Sequence, residues 1–505
     1  MNGIHIENRM VSKSTESKVS FSFQLACFLV LNLVLISSSL FERVQVNDGL
    51  GWDGLKYGNI TKHFVERISS HSLDAYTMQR ILPAGVIYSI IRALGWAFTD
   101  RNIIFWFSFY NIVLINFSLM VWLKILRLFS FPKIITLVSI ILLLGNFCFL
   151  KFAMYYPVLT DVTAFFLGIT LLYAYLEEMT FLTLLIVLVS AFTHPLLQYF
   201  AVLLFIFPRK IQTKEIKTLV LLRFLPYAFC LLYALAILAL YIFKPNIIDG
   251  HLWMHTDPVD RSLIFLSLGC TIIYLFIVSK SFVKNKLIEK ALASLNFYRI
   301  ACGVIILSVT YLVRHSLSGS QPSFGLKSFG ISVALQSISD PLEFLVSHIT
   351  FYGMAILLVV IYFKKYEKVI SGFGVGFMVF VYSILLLGIG SESRQYIFAL
   401  PFILLPVSFL LDPEVLKRTL FLLIVISIAF SKIWLPLNQG PYLEDEPTVF
   451  PDQYYFLNFG PWMIRSMYFL QMVIILMVGA TLSVVYRNKA ALISKEGNLK
   501  ERIVA

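Results

Sequence analysis

Apolar runs long enough to cross a lipid bilayer recur from Phe21 to Tyr486, and no other feature of the chain restricts its fold so severely. A helix needs about 20 such residues to traverse the hydrocarbon core. Inside that core every backbone N–H and C=O must find its partner within the segment or in a closed barrel, and long uninterrupted runs select the helix. With 59% hydrophobic residues, 14% charged residues and a mean hydropathy of +0.82, the sequence lies outside the soluble globular range. No long stretch is left for a soluble domain. The expected fold is an all-α polytopic membrane protein.

Spans are expected near residues 21–41, 103–123, 134–150, 157–176, 180–193, 195–207, 219–243, 263–279, 300–313, 349–363, 370–390, 396–411, 420–436 and 464–486, which makes about 13–14 transmembrane helices. Lysine and arginine collect on cytoplasmic loops. With both termini inside, residues 1–20 form a cytoplasmic tail, 21–486 the transmembrane domain and 487–505 a basic cytoplasmic tail, and more than half of the 41 basic residues fall on inner segments. Counting Ile81 to Phe98 as a further span turns those basic clusters outward, so this segment is expected to be interfacial or re-entrant. The external segments are then a large first loop, 42–101, followed by 244–261, 314–348 and 437–463. The third is rich in Ser and Gly, as suits a loop that covers a site. The fourth combines acids, prolines and aromatics, a composition that fits either a substrate-facing loop or an interfacial anchor.

The net charge of +13 is accounted for by this inside bias. No basic groove interleaved with aromatics argues for nucleic acid, and none is expected as a partner. Met1 to Lys18 is long and polar and no small-residue cleavage site follows the first apolar run, so Phe21 to Phe41 reads as a retained span, not a signal peptide. Cys27, Cys148, Cys230, Cys270 and Cys302 all sit in apolar runs without metal-ligand spacing and read as small core residues.

The first loop, most of whose polar residues lie between Gly49 and Pro83, carries Asp48, Asp53, Glu66 and Asp74 beside Lys56, Lys62, Arg67 and Arg80. Glycosyl transfer needs a base for a hydroxyl proton and a cation for a departing phosphate, and both residue types are present; water-facing loops also carry such charges for solubility alone. Asp53 is the sharper acid, set between the aromatic wall of Trp52 and the permissive backbone of Gly54.

WDGLKYGNI (Trp52 to Ile60), DAYTMQRILP (Asp74 to Pro83) and YYPVLTDVTAFFLG (Tyr155 to Gly168) resemble motifs of the GT-C superfamily, polytopic membrane glycosyltransferases dependent on polyprenyl-phosphate sugars, of the bacterial type. The arrangement of one span, a large external loop with interfacial helices and then many spans is similar too. The family's paired acids after the first helix are represented here by Asp53 alone, with Asp48 five residues earlier. The resemblance implies that Asp53 is the catalytic base and that Asp161, near the outer end of a later span, is the second catalytic acid. Asp161 fits equally the first turn of its helix, where an acid suits the dipole. Arg80, Tyr57 and Asp74 in the first loop are candidate substrate- or phosphate-binding residues. His194, at a turn between two short apolar runs, fits either a substrate contact or a structural His-Pro turn. Arg394 fits either a grip on a lipid phosphate or an interfacial anchor paired with Glu392.

No motif argues for a metal, a nucleotide or a covalent serine intermediate. No cofactor is expected, with weak water-mediated binding of a divalent cation left open. The expected activity is inverting transfer of a sugar from a polyprenyl-phosphate donor to a glycan or lipid-linked acceptor on the external face of a bacterial inner membrane, with membrane lipids as surroundings. The rival readings are a polymerase of lipid-linked repeat units and a transporter or lipid flippase. The latter draws on the short runs at 180–207, which resemble a broken helix pair.

Overall fold

The first apolar run folds as one helix, α1 (Phe21–Phe41), started by Ser20, whose hydroxyl accepts the N–H of Phe23. The computed structural model describes residues 20–209, 224–244, 261–319, 326–440, 458 and 460–504. Most of the cytoplasmic tail expected at 1–20, and most of the expected external segments 244–261 and 437–463, lie outside those residues. Within them every element is helical.

After α1 the chain turns sharply through Asn47 and Asp48, both in the left-handed region, and enters α2 (Trp52–Lys62). Two short helices follow, Phe64–Ser69 and Ala75–Met78, and then α3 (Ile81–Ala93). At about 1.5 Å per residue the 13 residues of α3 rise only about 20 Å, short of the roughly 30 Å hydrocarbon core. The helix lies against α2 and against α4 (Asp100–Leu128), and its Leu82 N–H bonds the carbonyl of Phe192 at 2.9 Å. Thr99 caps α4 through the N–H of Asn102.

The expected span at 134–150 is two pieces. α5 (Lys133–Leu144) and the helical stretch Cys148–Tyr155 meet at a 58° bend. α6 (Asp161–Leu176) is buried almost throughout. α7 (Thr180–Ser190) and α8 (Pro195–Ile206) form a tight hairpin, each shorter than a span. There follow α9 (Leu225–Phe243), α10 (Arg261–Lys284), α11 (Phe297–Leu317), α12 (Glu343–Tyr352), α13 (Met354–Ile361), α14 (Val375–Leu387), α15 (Leu400–Leu410), α16 (Pro413–Ser431) and α17 (Arg465–Val504). Within the expected loop 314–348, residues 320–325 lie outside the described residues and Leu326–Gln336 is helical.

Among the described residues seven helices are long and apolar enough to cross a membrane, or eight when the bent pair counts as one. The sequence leads one to expect 13–14 spans. Many of its apolar runs break into pieces of 10–17 residues, including α3, α6, α7, α8 and α14, which pack into the body of the protein. The polytopic all-α class holds; among the described residues the count of full-length spans is lower. The long helices fall into two populations. Only 11% of the apolar window is buried in α1 and in α9, against 78% for Ser393–Leu410, so the former turn apolar side chains outward, as bilayer contact requires, while the latter lies in the core. All five cysteines are free.

A buried polar clasp joins the two ends of this body. Glu42, just past α1, pairs with Lys151 at 2.7 Å and accepts the backbone N–H groups of Leu437 and Asn438. Asn438 in turn accepts from the Tyr155 hydroxyl at 2.6 Å and donates to the Arg43 carbonyl at 2.7 Å. Removing one partner of such a pair leaves a buried charge unmatched, at a cost of about 3 kcal/mol or more. Glu42→Ala is therefore expected to lower the thermal midpoint of the purified protein clearly, whereas Lys62→Ala, which breaks a partly exposed pair with Asp100, is expected to change it little.

Candidate active site

The residues singled out in the first loop meet those from the middle and late spans. Asp53 sits in the first turn of α2, where the helix dipole favours a carboxylate. The start of α2 is fixed by Tyr156. Gly51 takes φ +75°, and a Cβ there would lie 2.3 Å from the Tyr156 ring, so only glycine allows the approach. The Gly54 N–H then donates to the Tyr156 hydroxyl at 3.0 Å, and Trp52 meets the same ring edge-on.

Asp53 Oδ2 is 2.6 Å from Arg394 Nη2, and Arg394 Nε is 2.8 Å from Glu392 Oε1. The exposures divide the roles. Asp53 is 40% exposed, so an incoming group can reach its carboxylate, while Arg394 and Glu392 are 14% and 18% exposed and held in place. Burial alone would raise the Asp53 carboxyl. The positive charges of Arg394, Arg80 and Lys56, with the hydrogen bond from Arg394, outweigh it and hold the group below its ordinary value.

Arg394 reaches this point because Ser393–Ala399 lies flat against α6. The contact depends on Gly168, since a Cβ there would fall 2.2 Å from the Phe398 carbonyl oxygen, and a backbone atom in a packed core cannot step aside. Gly168→Ala is expected to cost about 1–3 kcal/mol and to displace the Arg394 segment, which a thermal melt and an activity measurement on the same preparation would record together.

Arg80 is buried, 8% exposed. One Nη donates to the Tyr57 hydroxyl at 3.3 Å, the guanidinium lies 4.4 Å from the centre of the Tyr76 ring, and Nε has no hydrogen-bond partner. Burial raises the phenols of Tyr57 and Tyr76, so both stay neutral. The docking of Leu82 on Phe192 holds Arg80 beside the α7–α8 turn, where His194 is buried against Phe398 with Nδ1 lacking a hydrogen bond. His194 lies within electrostatic range of both Arg80 and Arg394. Asp161 is buried at the first position of α6, after a cap residue, Thr160, whose side chain makes no capping bond. It lies within range of Arg394, Arg80, Asp53 and Glu392.

Asp53, Arg80, Arg394, Asp161, His194 and Tyr57 thus share one locus. Asp74 is placed otherwise: its carboxylate caps Ala75–Met78 through the N–H and hydroxyl of Thr77 and pairs with Lys56 at 2.6 Å. Lys56 joins the locus from among the first-loop cations, and Tyr76 and Tyr156 join it without having been singled out from sequence. The available signal for Tyr156 was the pair of glycines flanking Trp52-Asp53, which calls for a large group close to the backbone. Among the described residues no three His, Cys, Asp or Glu side chains group as metal ligands. The arrangement offers a reachable base, two fixed cations and a second, buried acid.

Comparison with family models, curated proteins and solved structures yields no match to this chain.

Proposed function

We propose that this protein is an integral-membrane glycosyltransferase that moves one sugar, with inversion, from a polyprenyl-phosphate donor to a glycan or lipid-linked acceptor. The observation that carries the reading is a half-buried carboxylate, Asp53, paired with the confined guanidinium of Arg394 and within electrostatic range of a second, Arg80. In the reaction the acceptor hydroxyl oxygen attacks the anomeric carbon and Asp53 takes the hydroxyl proton. The bond from the anomeric carbon to the phosphate oxygen breaks, and its electron pair leaves with the lipid phosphate. Arg394 and Arg80 stabilise that developing charge. Asp161 and His194 shape the sugar side of the site, and Tyr57 holds Arg80 in place. The inside bias of the basic residues supports a reading with both termini in the cytoplasm and this site on the opposite face of a bacterial inner membrane, where a lipid-linked donor would supply the transfer energy without a nucleotide.

Product analysis tests the reading. Vesicles holding the purified full chain, given a radiolabelled polyprenyl-phosphate sugar and a candidate acceptor, are expected to yield a new glycosidic bond and one free polyprenyl phosphate per sugar moved. Sugar lipid recovered intact on the opposite side of the vesicle would replace the proposal with a transporter. Chain growth that survives loss of Asp53 but not of later arginines would replace it with a polymerase.

A further inference from the structure

A second group of buried polar side chains gathers where α12 packs against α17 and against the segment that carries Arg394. Asp340 and Glu343 stand on one turn at the head of α12. The Glu343 N–H bonds the Asp340 carbonyl at 3.2 Å, and the two carboxyl groups lie within electrostatic range of each other. They are 8% and 2% exposed. Asp340 has a counter-ion in Arg465, whose Nε lies 3.4 Å away at the start of α17. Among the described residues no cation pairs with Glu343, and neither of its carboxyl oxygens has a hydrogen-bond partner.

Two serine hydroxyls share this surrounding. Ser391 is fully buried, its N–H fixed by Gln336 Oε1 at 3.0 Å, and its hydroxyl faces Glu343 without closing a hydrogen bond. Ser347 lies one turn along α12 from Glu343, on the same face, and its hydroxyl is likewise fully buried and unbonded. Tyr468, within electrostatic range of both acids, has its hydroxyl committed to the Pro341 carbonyl. Buried polar atoms are nearly always bonded, so a cluster of bare oxygens calls for a partner that serves them together. A proton on Glu343 makes one donor and satisfies one oxygen, whereas a cation satisfies all of them. Glu343 also opens α12, where the helix dipole favours its ionised form. Charge then selects the ion. With Asp340 matched by Arg465, one negative charge is left over. A divalent ion overshoots it, and calcium takes about 6–8 oxygens while magnesium retains several waters, more than these two carboxylates and two hydroxyls provide.

We infer that Glu343, Asp340, Ser347 and Ser391 form a binding site for a dehydrated alkali-metal cation. The site stands whether or not the transferase reading does. It bears on the neighbouring locus through the chain: Ser391 is joined to Glu392, which holds Arg394 at 2.8 Å, so a cation bound here pins the segment that presents that guanidinium.

The test melts the full chain in detergent at fixed pH and ionic strength, in sodium, potassium or choline chloride. Sodium or potassium is expected to raise the thermal midpoint by about 2 °C over choline. Saturable binding of radiolabelled sodium, or of rubidium as the tracer for potassium, is expected on the wild-type protein, displaced by the unlabelled alkali ions and not by choline. Glu343→Gln keeps the shape of the side chain and removes its charge, so it should weaken that binding by about tenfold or more and abolish the salt-specific rise. Ser391→Ala, which removes one oxygen, serves in its place should the first variant fail to fold, and the tracer experiment on the wild type needs no variant at all. Absence of saturable binding, equal midpoints in the three salts, unchanged binding in a folded Glu343→Gln, or a rise given only by calcium or magnesium would overturn the inference. A midpoint that follows pH and ignores the salts would also overturn it, by placing a proton on Glu343 instead.

Discussion

Asp53→Asn is expected to reduce sugar transfer by about 10²–10⁴-fold, the usual contribution of a positioned general base, with expression and thermal midpoint close to wild type. The side chain is 40% exposed and its partner Arg394 keeps Glu392, so the amide leaves no buried charge without a counter-ion. The loss should appear in kcat, since a base acts on the proton only as the new bond forms. Asp161→Asn serves as the comparison. That residue is buried on α6, so its substitution is expected to weaken substrate binding and stability together. Full turnover in Asp53→Asn at normal expression would remove the base assignment.

Arg394→Gln is expected to cost about 10²–10³-fold in transfer, as does loss of one donor to a developing oxyanion, and to change the pH profile of what remains. In the wild type the Asp53 carboxyl is held below its ordinary value, because Arg394, Arg80 and Lys56 outweigh the burial that would raise it. The acid limb of kcat/KM assigned to this base should therefore lie below the usual carboxylate range. Without Arg394 the burial effect is less opposed, and the limb moves to higher pH. The stability linkage has a definite sign. A carboxyl depressed in the folded state contributes above its unfolded value, near 3.8, and that contribution is lost as pH falls through the folded value. In Arg394→Gln this acid-side loss shrinks. A limb that stays in place in the variant would show that Asp53 and Arg394 do not share a site in solution.

The membrane class was legible in the sequence because burial in lipid leaves a local signature, a run of apolar residues. The fragmentation was legible in part: the runs at 180–207 were already short, and α7 and α8 are two short helices joined by a turn at Thr193-His194 and packed on α6 and α14, whereas the 58° break after α5 falls inside one continuous apolar run. The pairing of Arg394 with Glu392 was legible from two neighbouring residues, and the structure has it at 2.8 Å. The bond from Arg394 to Asp53 was not, because nothing in either local pattern encodes a partner 341 positions away. Asp74 shows the converse. It stands among the first-loop charges, yet its place as N-cap of Ala75–Met78 follows from the Asp-x-x-Thr order, in which the carboxylate bonds the N–H and the hydroxyl of Thr77.

That separation of 341 residues also dates the birth of the active site. At about 5–20 residues per second, a ribosome takes roughly 20–70 s to travel from Asp53 to Arg394, and throughout that interval the base has emerged while the late segment that will carry its cation is still unmade. On the transferase reading, truncated or stalled chains hold an acid without its partner and are expected to be inactive. Maturation of this protein is the insertion of its last third, and a pulse-chase experiment should find activity only in chains that have passed that point.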